Sequence, residues 1–129
     1  HLEANMLFET NKDKGRAGLA VAIGHFGTHG YTVSIPLNDT QDYDLLVDKD
    51  NTISRISVKA TGQRSEYGVS IVNLRNMGGT DGKVYGRECD KNIDYIFVVN
   101  EAQEMWLLPK EILTTTAMSL GEKYTKYRL

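Results

Sequence analysis

The chain is poor in the residues that tie a small protein to a special environment: it has one cysteine, Cys89, two prolines and one tryptophan. A single cysteine forms no internal disulfide, and with no CxxC pair or histidine-rich neighbourhood around it a structural zinc site is excluded as well. Cys89 reads as a bystander in a reducing cytoplasm. Hydrophobic runs are equally scarce. None approaches the roughly 20 residues of a spanning helix, and no signal-peptide pattern opens the chain, which argues against membrane and secreted roles. Positive charge is not in excess either. Fifteen Lys and Arg against 17 Asp and Glu leave a formal net charge of −2, the wrong sign for a protein that coats nucleic acid indiscriminately.

What is present is the composition of an ordinary globular domain with unevenly placed charge. At 129 residues, 40% hydrophobic and 25% charged, the sequence suits one domain with a real core. Residues 1–5 precede Met6 and read as an expression leftover, leaving 6–129 as the domain. Asp39, Asp42, Asp44, Asp48 and Asp50 crowd one stretch, and Arg55, Lys59, Arg64, Arg75, Lys83 and Arg87 dominate the next. An acidic cluster beside a basic stripe suits a metal-dependent enzyme acting on a phosphate polymer; scattered solvated charge is the plainer alternative.

Residues 14–28 place Ala17, Leu19, Ala20, Ile23 and Phe26 at helical spacing, with Asn11 or Asp13 to cap the start and Gly30 at the stop. Alternating or β-branched segments predict strands at 31–35, 43–47, 53–60, 67–75, 93–99 and 105–108. Pro36 ends the first, the turn DKDN joins the next two into a hairpin, and NMGGTDGK after Arg75 resembles a hairpin tip. PKEIL begins a short helix. A helix followed by strands implies a mixed sheet with a helix packed on it, an α/β or α+β class. Tyr95, Phe97, Trp106 and Leu108 read as core or subunit interface. Because MWLL is apolar on both faces, its strand is either central in the sheet or covered by another copy of the chain.

The stretch YDLLVDKDNTISRISVKAT, residues 43–61, carries the chemistry. Alternation sends Ser57 and Lys59 to one face and Ile56 and Val58 to the other, and hairpin pairing brings Asp44 to the same exposed patch. A carboxylate, a backbone carbonyl and waters form the oxygen-rich partial shell that Mg²⁺ prefers. A lysine beside it orients an attacking water or stabilises charge on a scissile phosphate. A surface ion pair between Asp44 and Lys59 is the alternative. His25 and His29 lack a further ligand at metal spacing.

The blocks KGRAGLAVAI (14–23), GYTVSIPLNDTQDYDLLVD (30–48), RISVKAT (55–61), VNLR with the following GG (72–79), IDYIFVVN (93–100) and SLGEKYTKYRL (119–129) cover nearly all of the chain after Met6. In these blocks the sequence resembles the PD-(D/E)XK homing endonucleases associated with group I introns, found in bacteria and phages. The resemblance implies a nuclease core of one helix on a mixed sheet, and Mg²⁺-dependent cleavage of double-stranded DNA with Mn²⁺ as a substitute. It also implies a homo-oligomer, dimer or tetramer, working in a bacterial or phage-infected cytoplasm. Asp44 matches the metal-binding aspartate and Lys59 the motif's lysine, with the Val58 carbonyl as a second metal ligand. Ser57 stands where the family carries an acid or glutamine, and Leu19 near the place where some relatives carry a helix glutamate. Either the site runs on one strong carboxylate, or Ser57 marks an attenuated enzyme; Asp42 and Asp48 are the nearest other acids.

Arg55, Gln63, Arg64, Arg75, Lys83 and Arg87 are the expected DNA contacts, with arginines reading guanine edges and lysines neutralising phosphates. Lys123, Lys126 and Arg128 alternate with Tyr124 and Tyr127 in a tail that suits docking as well as DNA contact. The functional expectation is a site-specific homing endonuclease. A junction-resolving nuclease and a nuclease-fold protein that only binds DNA are the alternatives.

Overall fold

The computed structural model describes residues 6, 8–38, 40–77, 84–87 and 92–129, with 75–77 and 84–87 described as backbone. Cys89, Lys83 and Asp39 lie outside the described residues. No helix among the described residues is long and apolar enough to cross a membrane.

Helix α1, Asn11–Thr28, is started by Thr10 rather than by Asn11 or Asp13. The Thr10 hydroxyl accepts the Asp13 N–H at 3.0 Å and the Asp13 carboxylate accepts the Thr10 N–H at 3.2 Å, a reciprocal capping box that satisfies two otherwise orphaned donors. The helix ends at His29, and Gly30 follows at φ 86°, a left-handed turn suited to glycine. Its buried stripe is Gly18, Ala22 and Phe26, spaced by four; Ala20, expected inside, is exposed. A Cβ on Gly18 would lie 3.0 Å from the Ala60 Cβ, so the glycine sets how closely α1 rests on the sheet.

The main sheet has the order β1-β2-β3-β7-β8, from Thr32–Ser34, Leu45–Lys49, Thr52–Thr61, Tyr95–Asn100 and Met105–Pro109. All neighbours are antiparallel except β3 and β7, which run parallel with Ser57 opposite Ile96 and Lys59 opposite Val98. The β2–β3 hairpin is tighter than DKDN implies. Lys49 pairs with Thr52 across Asp50 and Asn51, at φ 54° and 63°, a two-residue turn in which both residues are left-handed. The strand expected at 67–75 is broken: a lone bridge joins Arg64 to Ser70, then β4, Ile71–Asn73, pairs with β9, Ala117–Ser119, a strand the sequence did not announce. β5, Arg75–Met77, pairs with β6, Val84–Arg87, and Arg75 stands directly opposite Arg87.

Two cores flank the main sheet. Phe26, Leu45, Val47, Ile56, Phe97 and Val99 fill the helix side. Val72, Leu74, Ile96, Val98, Trp106, Leu108, Met118 and Leu120 fill the other, beneath the β4–β9 pair and the C-terminal segment. β8 is an edge strand, not a central one, with Trp106 and Leu108 in one core and Met105 and Leu107 against the other; its free edge meets the tail, where Trp106 bridges to Arg128 and the Leu129 N–H donates to the Met105 carbonyl at 3.0 Å.

Candidate active site

β2 begins at Leu45, paired with Ile56, while β3 runs on to Thr61. From Ser57 onward β3 has β7 on one side and, among the described residues, no partner strand on the other. Asp44 sits at the corner where β2 begins. Its N–H donates to the Ile56 carbonyl at 2.8 Å, and its Oδ2 accepts the Val58 N–H at 2.7 Å. A side-chain oxygen thus takes the place of the next rung of the ladder and fixes the carboxylate at the open edge of β3. The N–H and C=O of one strand residue point to the same side, so the Val58 carbonyl is directed to this edge as well.

Lys59 is half-buried and projects to the face opposite Val58, as alternation requires. Ser57 shares that face but is only 4% exposed, which corrects the expectation of an open patch. The cause is the layer that the β4–β9 pair lays over this side of the sheet. Leu19 is half-buried against the helix-side core and brings no carboxylate. Asp42 accepts the Asn92 N–H at 3.1 Å, and Asp48 lies toward the hairpin tip, opposite Ile53.

Among the described residues no cluster of three His, Cys, Asp or Glu side chains could hold a metal ion. The donors at the corner nonetheless suit Mg²⁺, which takes one or two carboxylates and keeps several waters. An ionised carboxylate has about four lone-pair directions, so the Val58 N–H takes only part of the accepting capacity of Asp44.

The expected DNA contacts fall in different places. Gln63 lines a cleft with Lys59 at the end of β3. Arg55 lies 3.9 Å from the Asp94 carboxylate, which also accepts its N–H at 2.8 Å. Arg64 pairs with Glu101, donates to the Gly68 carbonyl at 2.7 Å and lies 3.9 Å from Glu104. These arginines are engaged within the chain. Arg75 and Arg87 are placed only by their strand register, and Lys83 lies outside the described residues. The same cleft includes Asn11 and Lys14 of α1, which the sequence reading passed over. A lysine in the first turn of a helix, where the macrodipole disfavours cations, was the available signal. His25 serves the helix–sheet core: its ring is 5.9 Å from Phe97 and stacks on His29 at 4.3 Å. Burial, then the neighbouring His29, hold its imidazole below the ordinary histidine range.

Residues 9–128 match the PD-(D/E)XK endonuclease family, and the chain belongs to it. The class is one of endonucleases, which generally act with divalent metal ions. Among solved structures, the bacterial homing endonuclease I-Ssp6803I is similar at a TM-score of 0.79 and 20% identity, covering 92% of this chain and 88% of that one. MepB matches at a TM-score of 0.49 and 13% identity, over 86% of this chain and 95% of its own. No curated protein matches the sequence.

Proposed function

We propose that the protein is a site-specific DNA endonuclease of homing type that hydrolyses phosphodiester bonds with Mg²⁺. The observation that supports this most directly is the corner itself: Asp44 is pinned by the Val58 N–H at the unpartnered edge of β3, one strand position from Lys59. The Asp44 carboxylate and the Val58 carbonyl would hold the ion, and Mn²⁺ fits the same oxygen donors. When bound, it supplies Lewis-acid polarisation of the phosphodiester and a water of lowered pKa. Lys59 holds an ammonium where charge grows on the scissile phosphate, and Ser57 offers a small hydroxyl behind it. Arg75 and Arg87 occupy directly opposed strand positions, an arrangement of like charges that a DNA backbone relieves. One chain has one such corner, so cutting both strands calls for two copies related by a dyad.

A second reading, a nuclease-fold protein that binds DNA without cutting, is favoured by Ser57 and Leu19 standing where family members carry polar or acidic side chains. One experiment separates the two. Bacterial and phage DNA is incubated with wild type and Asp44→Asn, with and without Mg²⁺, and the ends of any break are sequenced. A discrete Mg²⁺-dependent double-strand break, reduced at least about 100-fold in the variant, is expected from the loss of one electrostatic partner. Tight binding without any break would transfer the assignment to the binding protein.

A further inference from the structure

At the C-terminal end of β3 a cleft of about 200 Å³ opens between the strand and the start of α1, lined by Lys59, Gln63, Asn11 and Lys14 among others. Lys14 is the unexplained member. It lies in the first turn of α1, where the helix macrodipole repels a cation. It is half-buried, and among the described residues no ion pair holds its ammonium. The acid of the same turn is occupied elsewhere, since Asp13 accepts the Thr10 N–H and pairs with Arg16 at 3.1 Å. Lys14 and Lys59 thus bring two cations to one cleft, and an anion seated there would pair with them. The helix terminus is not itself the attractor, because Thr10 already satisfies the Asp13 N–H.

We propose that this cleft seats a DNA backbone phosphate adjacent to the one cut, with Lys14 as its anchoring cation and Asn11 and Gln63 as hydrogen-bond donors. Lys14 is then a positioning residue: Lys59 lines the cleft and follows Val58, whose N–H the Asp44 carboxylate accepts, so a phosphate held by Lys14 sets the register of the next one. This rests on the endonuclease reading above.

The test is fluorescence anisotropy of a labelled duplex over a series of salt concentrations, without metal, for wild type, Lys14→Met and Lys14→Arg. Single-turnover cleavage and thermal midpoints are measured beside it. Methionine keeps the packing of the lysine stem, and Lys14→Gln is the second neutral variant. Loss of one phosphate contact should weaken binding on the order of tenfold and flatten the slope of log affinity against log salt by about 0.9. Lys14→Arg should keep the slope, and the midpoints of the neutral variants should not fall. If the neutral variants match a wild type that binds and cuts, the cleft assignment is overturned and the endonuclease stands. A wild type that neither binds nor cuts duplex overturns both.

Discussion

Asp44 holds the hairpin corner and is proposed to hold the ion, and one substitution separates the two. Asparagine still offers an oxygen to the Val58 N–H, so Asp44→Asn should keep the hairpin corner and lose cleavage. Alanine would also leave that N–H without its partner, at a further cost of about 1 kcal/mol in stability. Ser57 poses the opposite problem, because its position is filled on all sides at 4% exposure. Ser57→Gln introduces the side chain that the family resemblance implies there and, on the proposed reading, should lower the Mg²⁺ concentration needed for half-maximal cutting. Forcing that volume into a closed site should also cost about 1–3 kcal/mol, read as a lower thermal midpoint. An unchanged Mg²⁺ requirement would mean that serine contributes nothing at the ion. The pairing of Asp44 with the lysine strand was legible, because alternation along a strand and closure of a hairpin are local rules. The burial of Ser57 was not. Burial depends on what covers the sheet, and that cover includes a three-residue strand, Ala117–Ser119, too short to show a pattern.

At the level of elements, the contact of α1 with β3 is set by Gly18. A valine there would drive its methyls into Ala60 and Val58, already 3.0 and 3.4 Å from where a bare Cβ would stand. Gly18→Val should therefore destabilise the protein by about 1–3 kcal/mol, measured by chemical denaturation, although valine has the better intrinsic helix propensity. A variant as stable as wild type would show that α1 can shift outward freely. The buried stripe was hard to read because two of its three members are Gly18 and Ala22, which carry little hydrophobic signal. Larger neighbours such as Leu19 and Ile23 pulled the apparent face sideways. The hairpin was easier, since Asp50 and Asn51 suit the left-handed turn they adopt.

Across the molecule, Glu104 ties three segments together. Its carboxylate accepts from Asn100 Nδ2 at 2.7 Å, and it lies 3.2 Å from Arg128 of the tail and 3.9 Å from Arg64 after β3. The Asn100 hydrogen bond, opposed by burial and aided by both arginines, holds this carboxyl below the ordinary glutamate range. A depressed folded-state value makes its stabilisation complete above the unfolded pKa and lost as pH falls through the lowered one. The thermal midpoint should drop over that acidic window, and Glu104→Gln should flatten the dependence; an identical pH profile in the variant would remove Glu104 from the account. The net is modest because these groups are partly exposed. The ion pairs of Arg64 with Glu101 and Glu104 were not legible, because partners that lie far along the chain leave no trace in local sequence.

The parallel pairing of β3 with β7 also dictates an order of assembly. The hairpin carrying Asp44 and Lys59 closes through neighbours in sequence, whereas contacts such as Arg55 with Asp94 join residues 39 apart. Non-local pairing of this kind forms late. On a ribosome the corner proposed to hold the ion therefore emerges before the strand that braces it, and Lys59 waits for Val98 of β7 to be made before its own part of the strand is paired.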